Sequence, residues 1–374
     1  MDAQATIHTT IAVIPIVRRA CGPIQYRLMT IPGARMPHFK AIRVHQGPTG
    51  RFAALDSVSL DELTPGEVVV RVAYSGLNYK DALAVTGKGS IMRAYPRTAG
   101  IDVAGIVERS EVPAFKPGDR VIATGSGLGE WLDGGLAEQA RLPAQALVPL
   151  PAPLSLFDAM ALGTAGFTAA LALRRMLENH QTPELGPIAV TGATGGVGGL
   201  ALALFKQAGF TTVAITGKGG AEGYLHELGA ERVIERSHLD LGSKPLEKAL
   251  WGGAVDNLGG EMLTYLTRTV KPWGNIACIG LAQSAALNTT VIPLILRGVS
   301  LLGIHSVDLP RQWRLALWEK LAGEWNVAEL RRRIVRAVID LEEVPLACEE
   351  LIAGRARGRY VVRLAGDATE AQSD

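Results

Sequence analysis

The feature that most constrains this chain is a glycine-rich turn between an apolar strand and a helical run. Residues 188–199 read Ile-Ala-Val-Thr-Gly-Ala-Thr-Gly-Gly-Val-Gly-Gly, and a helical pattern follows at once. Glycines in such a turn permit a tight bend, close approach of the backbone to a pyrophosphate, and packing of the helix on the strand. The new helix N-terminus offers free N–H groups to the anion. With a strand before it and a helix after it, the turn predicts a dinucleotide site. The turn glycines and the predicted contacts are Gly192, Thr194, Gly195, Gly196, Val197 and Gly198.

The end of the second predicted strand indicates which dinucleotide binds. An NAD-selective site carries Asp or Glu about 20 residues after the glycines, where the acid holds the ribose 2′-OH. This chain has Thr216, Gly217 and Lys218 there, and its first carboxylate comes only at Glu222. A hydroxyl and an ammonium suit a 2′-phosphate, which an acid would repel, so the sequence predicts NADPH. Arg236 is a further candidate contact, and a solvated Lys218 in a flexible turn is the alternative interpretation.

The order of strand and helix patterns predicts an α/β protein of two domains. Residues 39–160 are rich in short strand signals, at 40–44, 67–73, 101–107 and 119–123, which indicates a β-rich lobe. Residues 161–300 alternate strands, near 188–191, 211–216, 232–235, 254–258 and 275–280, with helices, as in a doubly wound parallel sheet. The last segment, 301–366, is expected to return to the first lobe with strands at 301–304 and 358–364, and 367–374 is a tail.

Charge, cysteine content and hydropathy exclude several classes of protein. The chain has 38 basic and 36 acidic residues and no basic stripe, so nucleic acid is not an expected partner. Three scattered cysteines argue against a disulfide framework and predict a cytoplasmic location. Two charge-free stretches, 185–205 and 272–296, are long enough for membrane spans, but their glycines, prolines and polar residues favour buried strands and turns.

Residues 1–38 differ from the rest of the chain. No acid occurs between Asp2 and Asp56, and Met36 is a second plausible start just before the first clear strand. A disordered extension from an upstream start is the favoured interpretation, and an organelle presequence or a structured extension are the alternatives.

Several motifs make the chain similar to the medium-chain dehydrogenase/reductase superfamily and its zinc-free quinone oxidoreductase branch. Besides the glycine turn, residues 75–83 read Ser-Gly-Leu-Asn-Tyr-Lys-Asp-Ala-Leu, 99–105 read Ala-Gly-Ile-Asp-Val-Ala-Gly, and 162–169 read Leu-Gly-Thr-Ala-Gly-Phe-Thr-Ala. Residues 78–89 and 289–297 resemble the acrylyl-CoA reductase subgroup more closely. The resemblance covers about residues 39–366 and implies a GroES-like catalytic domain around a Rossmann cofactor domain, with a homodimer paired at residues 300–304.

The same resemblance bears on metal chemistry. Alcohol dehydrogenases of the superfamily hold a catalytic zinc with Cys and His from the segments corresponding to 75–81, 100–105 and 162–165. Here those segments contain neither residue, and Ile101 stands at the His position. We therefore expect no metal, and a substrate already activated toward hydride.

The expected reaction is reduction of the C=C bond of a short 2-enoyl thioester, acryloyl-CoA to propanoyl-CoA, with hydride added at the β-carbon. The cofactor carries the hydride and the protein supplies orientation and charge stabilisation. Tyr79 is the candidate to hydrogen-bond the oxyanion, donate the proton or hold the nicotinamide ribose. Asn78 is a candidate to fix the carbonyl or ribose, while Asp81 and Asp102 either position these groups or satisfy backbone N–H groups.

Further candidates come from the cleft expected between the lobes. Its wall is expected to include Thr164, Gly280, Leu281 and Ala282, and Asn257 is another candidate cofactor contact. Cations that could pair with CoA phosphates are Lys88, Arg93, Arg97, Arg297, Arg355, Arg357 and Arg359. The alternative functions are an NADPH:quinone or enal oxidoreductase and, from a different class, a non-catalytic NADPH-binding module.

Overall fold

The computed structural model describes residues 10–15, 26–31 and 37–364. The strands are β1 (Thr10–Pro15), β2 (Tyr26–Ile31), β3 (Phe39–Gly47), β4 (Gly50–Val58), β5 (Val68–Leu77), β6 (Arg97–Thr98), β7 (Asp102–Ser110), β8 (Arg120–Thr124), β9 (Gln139–Leu142), β10 (Val148–Pro149), β11 (Ile188–Thr191), β12 (Thr212–Thr216), β13 (Arg232–Glu235), β14 (Gly253–Asp256), β15 (Asn275–Cys278), β16 (Ser300–Gly303), β17 (Val335–Ile339) and β18 (Arg359–Arg363). The helices are α1 (Tyr79–Val85), α2 (Leu156–Glu178), α3 (Gly196–Gln207), α4 (Glu222–Glu227), α5 (Gly260–Thr269), α6 (Ile292–Arg297), α7 (Arg311–Ala322), α8 (Ala328–Ile334) and α9 (Val344–Ile352).

Residues 1–38 form a unit of their own. Within it β1 and β2 pair antiparallel, with Thr10 opposite Ile31. The other residues of 1–36, and residues 365–374, lie outside the described residues. The expectation of a disordered extension therefore stays a prediction for the segment as a whole.

The cofactor domain is built on a six-stranded parallel sheet. Its strand order is β13-β12-β11-β14-β15-β16, the doubly wound order in which the first strand lies at the centre. Every residue of β11, β12 and β14 is buried, as expected for strands covered by helices on both faces. Both the fold class and the strand positions predicted for this region are confirmed.

The expectation that residues 301–304 return to the first lobe is wrong. The strand β16 instead pairs in parallel with β15, from Asn275 opposite Ser300 to Cys278 opposite Gly303, and extends the cofactor sheet by one strand. A short crossover through α6 brings the chain back beside β15, the usual way for a parallel sheet to grow. The return to the other domain comes with β17 and β18, of which β18 pairs antiparallel with β5.

The other domain contains a seven-stranded mixed sheet and a three-stranded sheet. The first has the order β10-β8-β7-β5-β18-β17 with β9 also paired to β5, and the second has the order β4-β3-β6. The strands predicted at 40–44, 67–73, 101–107 and 119–123 correspond to β3, β5, β7 and β8. The GroES-like lobe predicted from the resemblance is present.

The long helix α2 crosses the domain boundary expected at residue 160. It begins at an N-cap formed by Ser155, whose hydroxyl accepts from the N–H of Asp158 at 3.0 Å. Gly163 interrupts the helix with φ 51° and ψ −156°, a conformation that favours glycine. Among the described residues α2 alone is long and apolar enough to cross a membrane, but 89% of its most apolar stretch is buried within the protein. It is a core helix between the two domains.

Candidate functional site

The glycine turn has the geometry of an anion cradle. Gly192 adopts φ 57° at the end of β11, and the N–H of Gly195 donates to its carbonyl at 3.0 Å. A Cβ on Gly198 would lie 2.4 Å from that same carbonyl oxygen, so a larger residue would displace the turn. Helix α3 begins at Gly196, directly after this turn, and the N–H groups in the first turn of a helix have no partner within the helix, which suits such a terminus to a phosphate.

The segment after β12 places polar and cationic groups beside this cradle. The N–H of Lys218 donates to the Thr216 hydroxyl at 3.1 Å, and the Lys218 ammonium donates to the carbonyl of Ala356. Arg236 lies with its guanidinium over the Cα of Gly217, within van der Waals reach of a Cβ there. Burial lowers the pKa of Lys218, and the nearby Arg357 and Arg336 lower it further. The four residues predicted around the ribose thus lie together.

Asn257 has a structural role at the same edge of the sheet. Its side-chain amide donates to the carbonyl of Thr191 at 2.8 Å, and its backbone N–H donates to the Thr191 hydroxyl at 3.0 Å. Gly280 packs directly on Asn257, because a Cβ on Gly280 would lie 2.4 Å from the Asn257 carbonyl oxygen. Leu281 follows and is 61% exposed. These residues fix the ends of β11, β14 and β15 relative to one another.

The Asn78 loop is held by a buried network of charges. Asp102 is fully buried and accepts from the Thr164 hydroxyl at 2.6 Å and from the Asn78 amide at 2.9 Å. The Arg359 guanidinium lies 3.4 Å from Asp102 and donates to the Asn78 side-chain oxygen at 2.8 Å. Thr164, predicted as a cofactor contact, is therefore tied to Asp102 by its hydroxyl. The three segments that correspond to the zinc-holding segments of the alcohol dehydrogenases contribute Asn78, Asp102 and Thr164 to the surroundings of the Asp102–Arg359 ion pair.

Asp81 stabilises the same loop through hydrogen bonds to its backbone. Its carboxylate accepts from the N–H of Asn78 at 2.9 Å and from the N–H of Ile101 at 2.9 Å, which caps α1 and fixes the start of β7. Burial, with the charge of Asp102 as a second cause, raises the pKa of Asp81 to about 7, although its hydrogen bonds act in the opposite direction. Asp81 thus satisfies backbone N–H groups, one of the two alternatives that the sequence analysis left open, whereas Asp102 accepts from the side chains of Asn78 and Thr164. The Asn78 side chain is occupied by protein partners.

Tyr79 differs from the other candidates in this loop. It is the first residue of α1, its side chain is 40% exposed, and its hydroxyl has no hydrogen-bond partner among the described residues. The loop below it is rigid because Asn78, which precedes it, is bonded to both Asp102 and Arg359. Tyr79 is therefore the candidate whose polar group is free to meet a ligand.

Arg359 is the main site residue that sequence reasoning did not identify in this role. Besides the network around Asp102, its stem packs on the glycine turn, where a Cβ on Gly196 would lie 2.8 Å from the Arg359 Cδ. One side chain therefore joins the phosphate cradle to the residue before Tyr79. The available signal was an arginine directly before the apolar run Tyr360, Val361 and Val362 of a strand, where a charge needs a buried partner.

The predicted CoA cations are mostly occupied elsewhere. Lys88 pairs with Glu349 at 2.9 Å, and Arg297 donates to the carbonyl of Arg268 at 2.7 Å. Arg93 stacks over Trp131 with its guanidinium carbon 4.7 Å from the ring centre. In the described parts of the chain, no three His, Cys, Asp or Glu side chains lie close enough together to hold a metal ion.

Comparison with known proteins agrees with this architecture. The model of the alcohol dehydrogenase GroES-like domain matches residues 64–152, and that of the zinc-binding dehydrogenase matches residues 196–322. Putative quinone oxidoreductase YhfP of Bacillus subtilis is 44% identical, over 87% of this chain and 99% of YhfP. Acrylyl-CoA reductase AcuI of Ruegeria pomeroyi is 42% identical, over 83% of this chain and 94% of AcuI.

Solved structures extend the similarity to three dimensions. The crystal structure of E. coli K-12 YhdH with bound NADPH has a TM-score of 0.84 and 40% identity, and covers 87% of this chain and 99% of YhdH. The Bacillus subtilis yhfP structure with NAD bound also has a TM-score of 0.84, with 44% identity over 87% of this chain and 99% of that one. The chain belongs to the medium-chain dehydrogenase/reductase superfamily, in the quinone oxidoreductase branch with the acrylyl-CoA reductases.

Proposed function

We propose that this NADPH-dependent oxidoreductase reduces the C=C bond of a short 2-enoyl-CoA, with acryloyl-CoA converted to propanoyl-CoA. The observation that carries the proposal is the connection made by Arg359, which packs on the glycine turn and holds the loop that presents Tyr79. This connection supports a role for the Tyr79 phenol beside the cofactor. The AcuI relatives, named acrylyl-CoA reductases, support the choice of substrate.

The residues of this chain have separate tasks in that reaction. NADPH, when bound, supplies the hydride to the β-carbon of the enoyl thioester. Tyr79 supplies a hydroxyl that can donate to the thioester oxygen as negative charge builds there, deliver the α-proton or hold the ribose. Asn78, Asp81, Asp102 and Arg359 act indirectly, because their polar groups are occupied in fixing the loop.

The cofactor preference follows from the segment after β12. Thr216, Lys218 and Arg236 place a hydroxyl and two cations where an acid would select NADH. Because a relative was solved with NAD bound, NADH is the necessary comparison. We expect a higher kcat/KM with NADPH than with NADH at the same enoyl-CoA concentration.

A quinone or enal is the second candidate substrate, favoured by the name of the YhfP relative. Both reactions need the same hydride and little else from the protein. An NADPH-oxidation assay with acryloyl-CoA, crotonyl-CoA, a free enal and a quinone separates them. The proposal requires the highest kcat/KM for acryloyl-CoA, and a higher value for the quinone would replace it with the second candidate.

A homodimer stays a proposal, supported by one surface. The strand β16 ends the parallel sheet, and the adjacent α6 exposes 72% of Ile295 and 68% of Leu296. Trp273, whose N–H donates to the carbonyl of Arg297 at the end of α6, is 74% exposed. A strand with one unpaired edge, beside exposed apolar side chains, is suited to pairing with a second copy. Sedimentation of Ile295→Glu against the unaltered protein tests it, and an unchanged mass would contradict this surface. A cytoplasmic location likewise stays a prediction.

A further inference from the structure

A short segment before β18 lies across both parts of the dinucleotide site. We call residues 356–358 the crossing segment. The N–H of Gly358 donates to the carbonyl of Thr194 in the glycine turn at 2.8 Å, and Gly358 pairs with Gly195 as in a parallel sheet. At its other end, the carbonyl of Ala356 accepts from the Lys218 ammonium. The segment thus touches the phosphate cradle and the loop after β12 together.

Arg357 of this segment reaches the loop after β12. Its guanidinium donates to the carbonyls of Gly219 at 3.0 Å and Gly220 at 3.1 Å, one nitrogen to each. It forms no ion pair with any carboxylate in the described part of the chain. A guanidinium has five N–H donors, so Arg357 keeps donors free beside the loop that follows Lys218.

Three cationic side chains, Lys218, Arg336 and Arg357, interact around this loop. Burial lowers the pKa of Lys218 and so do Arg357 and Arg336, while no described carboxylate acts to raise it. Arg336 has an ion-pair partner in Glu350 at 3.4 Å, but Arg357 pairs with no described carboxylate. Like charges held together repel one another, and an anion bound among them would relieve that cost.

A neutral group nearby also lacks a partner. The hydroxyl of Tyr224, on α4, is buried without a hydrogen-bond partner in the described structure. Burial raises the pKa of Tyr224, and the charge of Arg357 acts in the opposite direction. An unsatisfied buried hydroxyl destabilises a protein. The region around Arg357 therefore has unused donors as well as excess positive charge.

We infer that Arg357 determines specificity for the 2′-phosphate of NADPH, acting from the crossing segment alongside Lys218 and Arg236. This inference rests on the proposed use of NADPH and extends it to a residue outside the cofactor domain's own sheet. The ligand group is a phosphomonoester dianion, which a guanidinium binds through two parallel hydrogen bonds. Arg357 holds the loop through its two carbonyl contacts and contacts the phosphate with its remaining donors.

The test is a binding measurement that needs no turnover. Isothermal titration of the full-length protein compares adenosine 2′,5′-bisphosphate with adenosine 5′-monophosphate, which differ only in the 2′-phosphate. Arg357→Gln should raise the Kd for the bisphosphate ~10-fold or more, since a hydrogen bond to a charged group contributes about 1.5–3 kcal/mol. Its Kd for the monophosphate should stay within about twofold. Arg357→Lys, which keeps the charge but not the planar fork, should fall between Arg357→Gln and the unaltered protein.

The matched control is Arg355→Gln, because Arg355 is exposed and lies two residues earlier in the same stretch. It should leave both Kd values unchanged. If Arg357→Gln raises the Kd for both nucleotides equally, Arg357 only shapes the loop. If Arg355→Gln raises the Kd for the bisphosphate as much as Arg357→Gln does, the phosphate responds to the overall positive charge and not to Arg357. Either outcome overturns the inference. If the unaltered protein binds both nucleotides equally, the NADPH preference fails as well, which separates that failure from a failure of Arg357 alone.

Discussion

The two halves of the site are built from different material. The phosphate cradle is backbone, shaped by glycines such as Gly192 and Gly198 that lie close together in sequence. The loop that presents Tyr79 is held by side chains from four separate segments, joined through Asp102 and Arg359. A backbone site depends on local sequence, whereas a side-chain site depends on the whole fold. Substitutions in the two halves should therefore fail in different ways.

The largest effect is expected from Arg359→Met. It leaves Asp102 buried without its cationic partner, which destabilises a protein by about 3–5 kcal/mol. Urea unfolding measures the loss. Because the Arg359 stem also packs on Gly196, the surviving folded protein should bind NADPH more weakly. Arg363→Met is the control, since the Arg363–Asp340 pair is about half exposed and contributes at most about 1 kcal/mol. Equal losses for the two variants would contradict the buried network.

The second prediction distinguishes a catalytic role of Tyr79 from a purely structural one. Tyr79→Phe removes a partly exposed hydroxyl that has no partner in the described structure, so stability should change little. If the hydroxyl assists proton transfer, kcat for acryloyl-CoA should fall ~100-fold. Stopped-flow NADPH oxidation gives kcat, and thermal melting gives stability. The control is Tyr95→Phe, which removes the hydroxyl from an aromatic ring packed under Arg51 and should leave kcat unchanged. Unchanged kcat and KM values in Tyr79→Phe would remove Tyr79 from the mechanism.

The third effect belongs to the backbone half. Gly198→Ala places a Cβ 2.4 Å from the carbonyl oxygen of Gly192, and the turn must shift to accommodate it. We expect the Kd for NADPH to rise ~10-fold or more, because displaced N–H groups lose phosphate hydrogen bonds that contribute about 1.5–3 kcal/mol each. Fluorescence titration measures the Kd. Gly223→Ala, where a Cβ meets no atom within 4 Å, is the control. An unchanged Kd in Gly198→Ala would mean that the turn does not bind the pyrophosphate.

The same division explains what the sequence could predict. The positions of β11 to β15 and the glycine turn follow from apolar runs and local spacing, so they could be predicted closely. The placement of β16 could not, because its four residues, Ser300–Gly303, fit an edge strand of either sheet and only the crossover through α6 decides between them. Strand β4, which mixes exposed and half-buried positions, gave no clear pattern.

The side-chain network shows a second limit. Asn78, Asp81 and Asp102 could be identified as candidates because they lie in recognisable motifs, but their roles depend on partners far along the chain. Asp102 and Arg359 are 257 residues apart. A sequence reveals that a buried charge needs a partner, but not which residue supplies it. A direct contact of Asn78 with substrate or ribose stays a prediction. The sequence could not show that its side-chain amide is hydrogen-bonded within the protein.

The smallest effect concerns pH and tests the buried half again. Burial raises the folded-state pKa of Asp81 to about 7, whereas an unfolded Asp titrates near 3.9. Between these values the unfolded chain releases a proton that the folded protein keeps, so Asp81 lowers stability as pH rises, by at most about 1.4 kcal/mol per pH unit. Asp81→Asn removes this slope while keeping one acceptor oxygen. From pH 5 to pH 6 its stability should improve relative to the unaltered protein by about 1 kcal/mol, measured by urea unfolding. A constant difference would mean that Asp81 is ionised throughout, and that Arg359 neutralises both buried carboxylates rather than Asp102 alone.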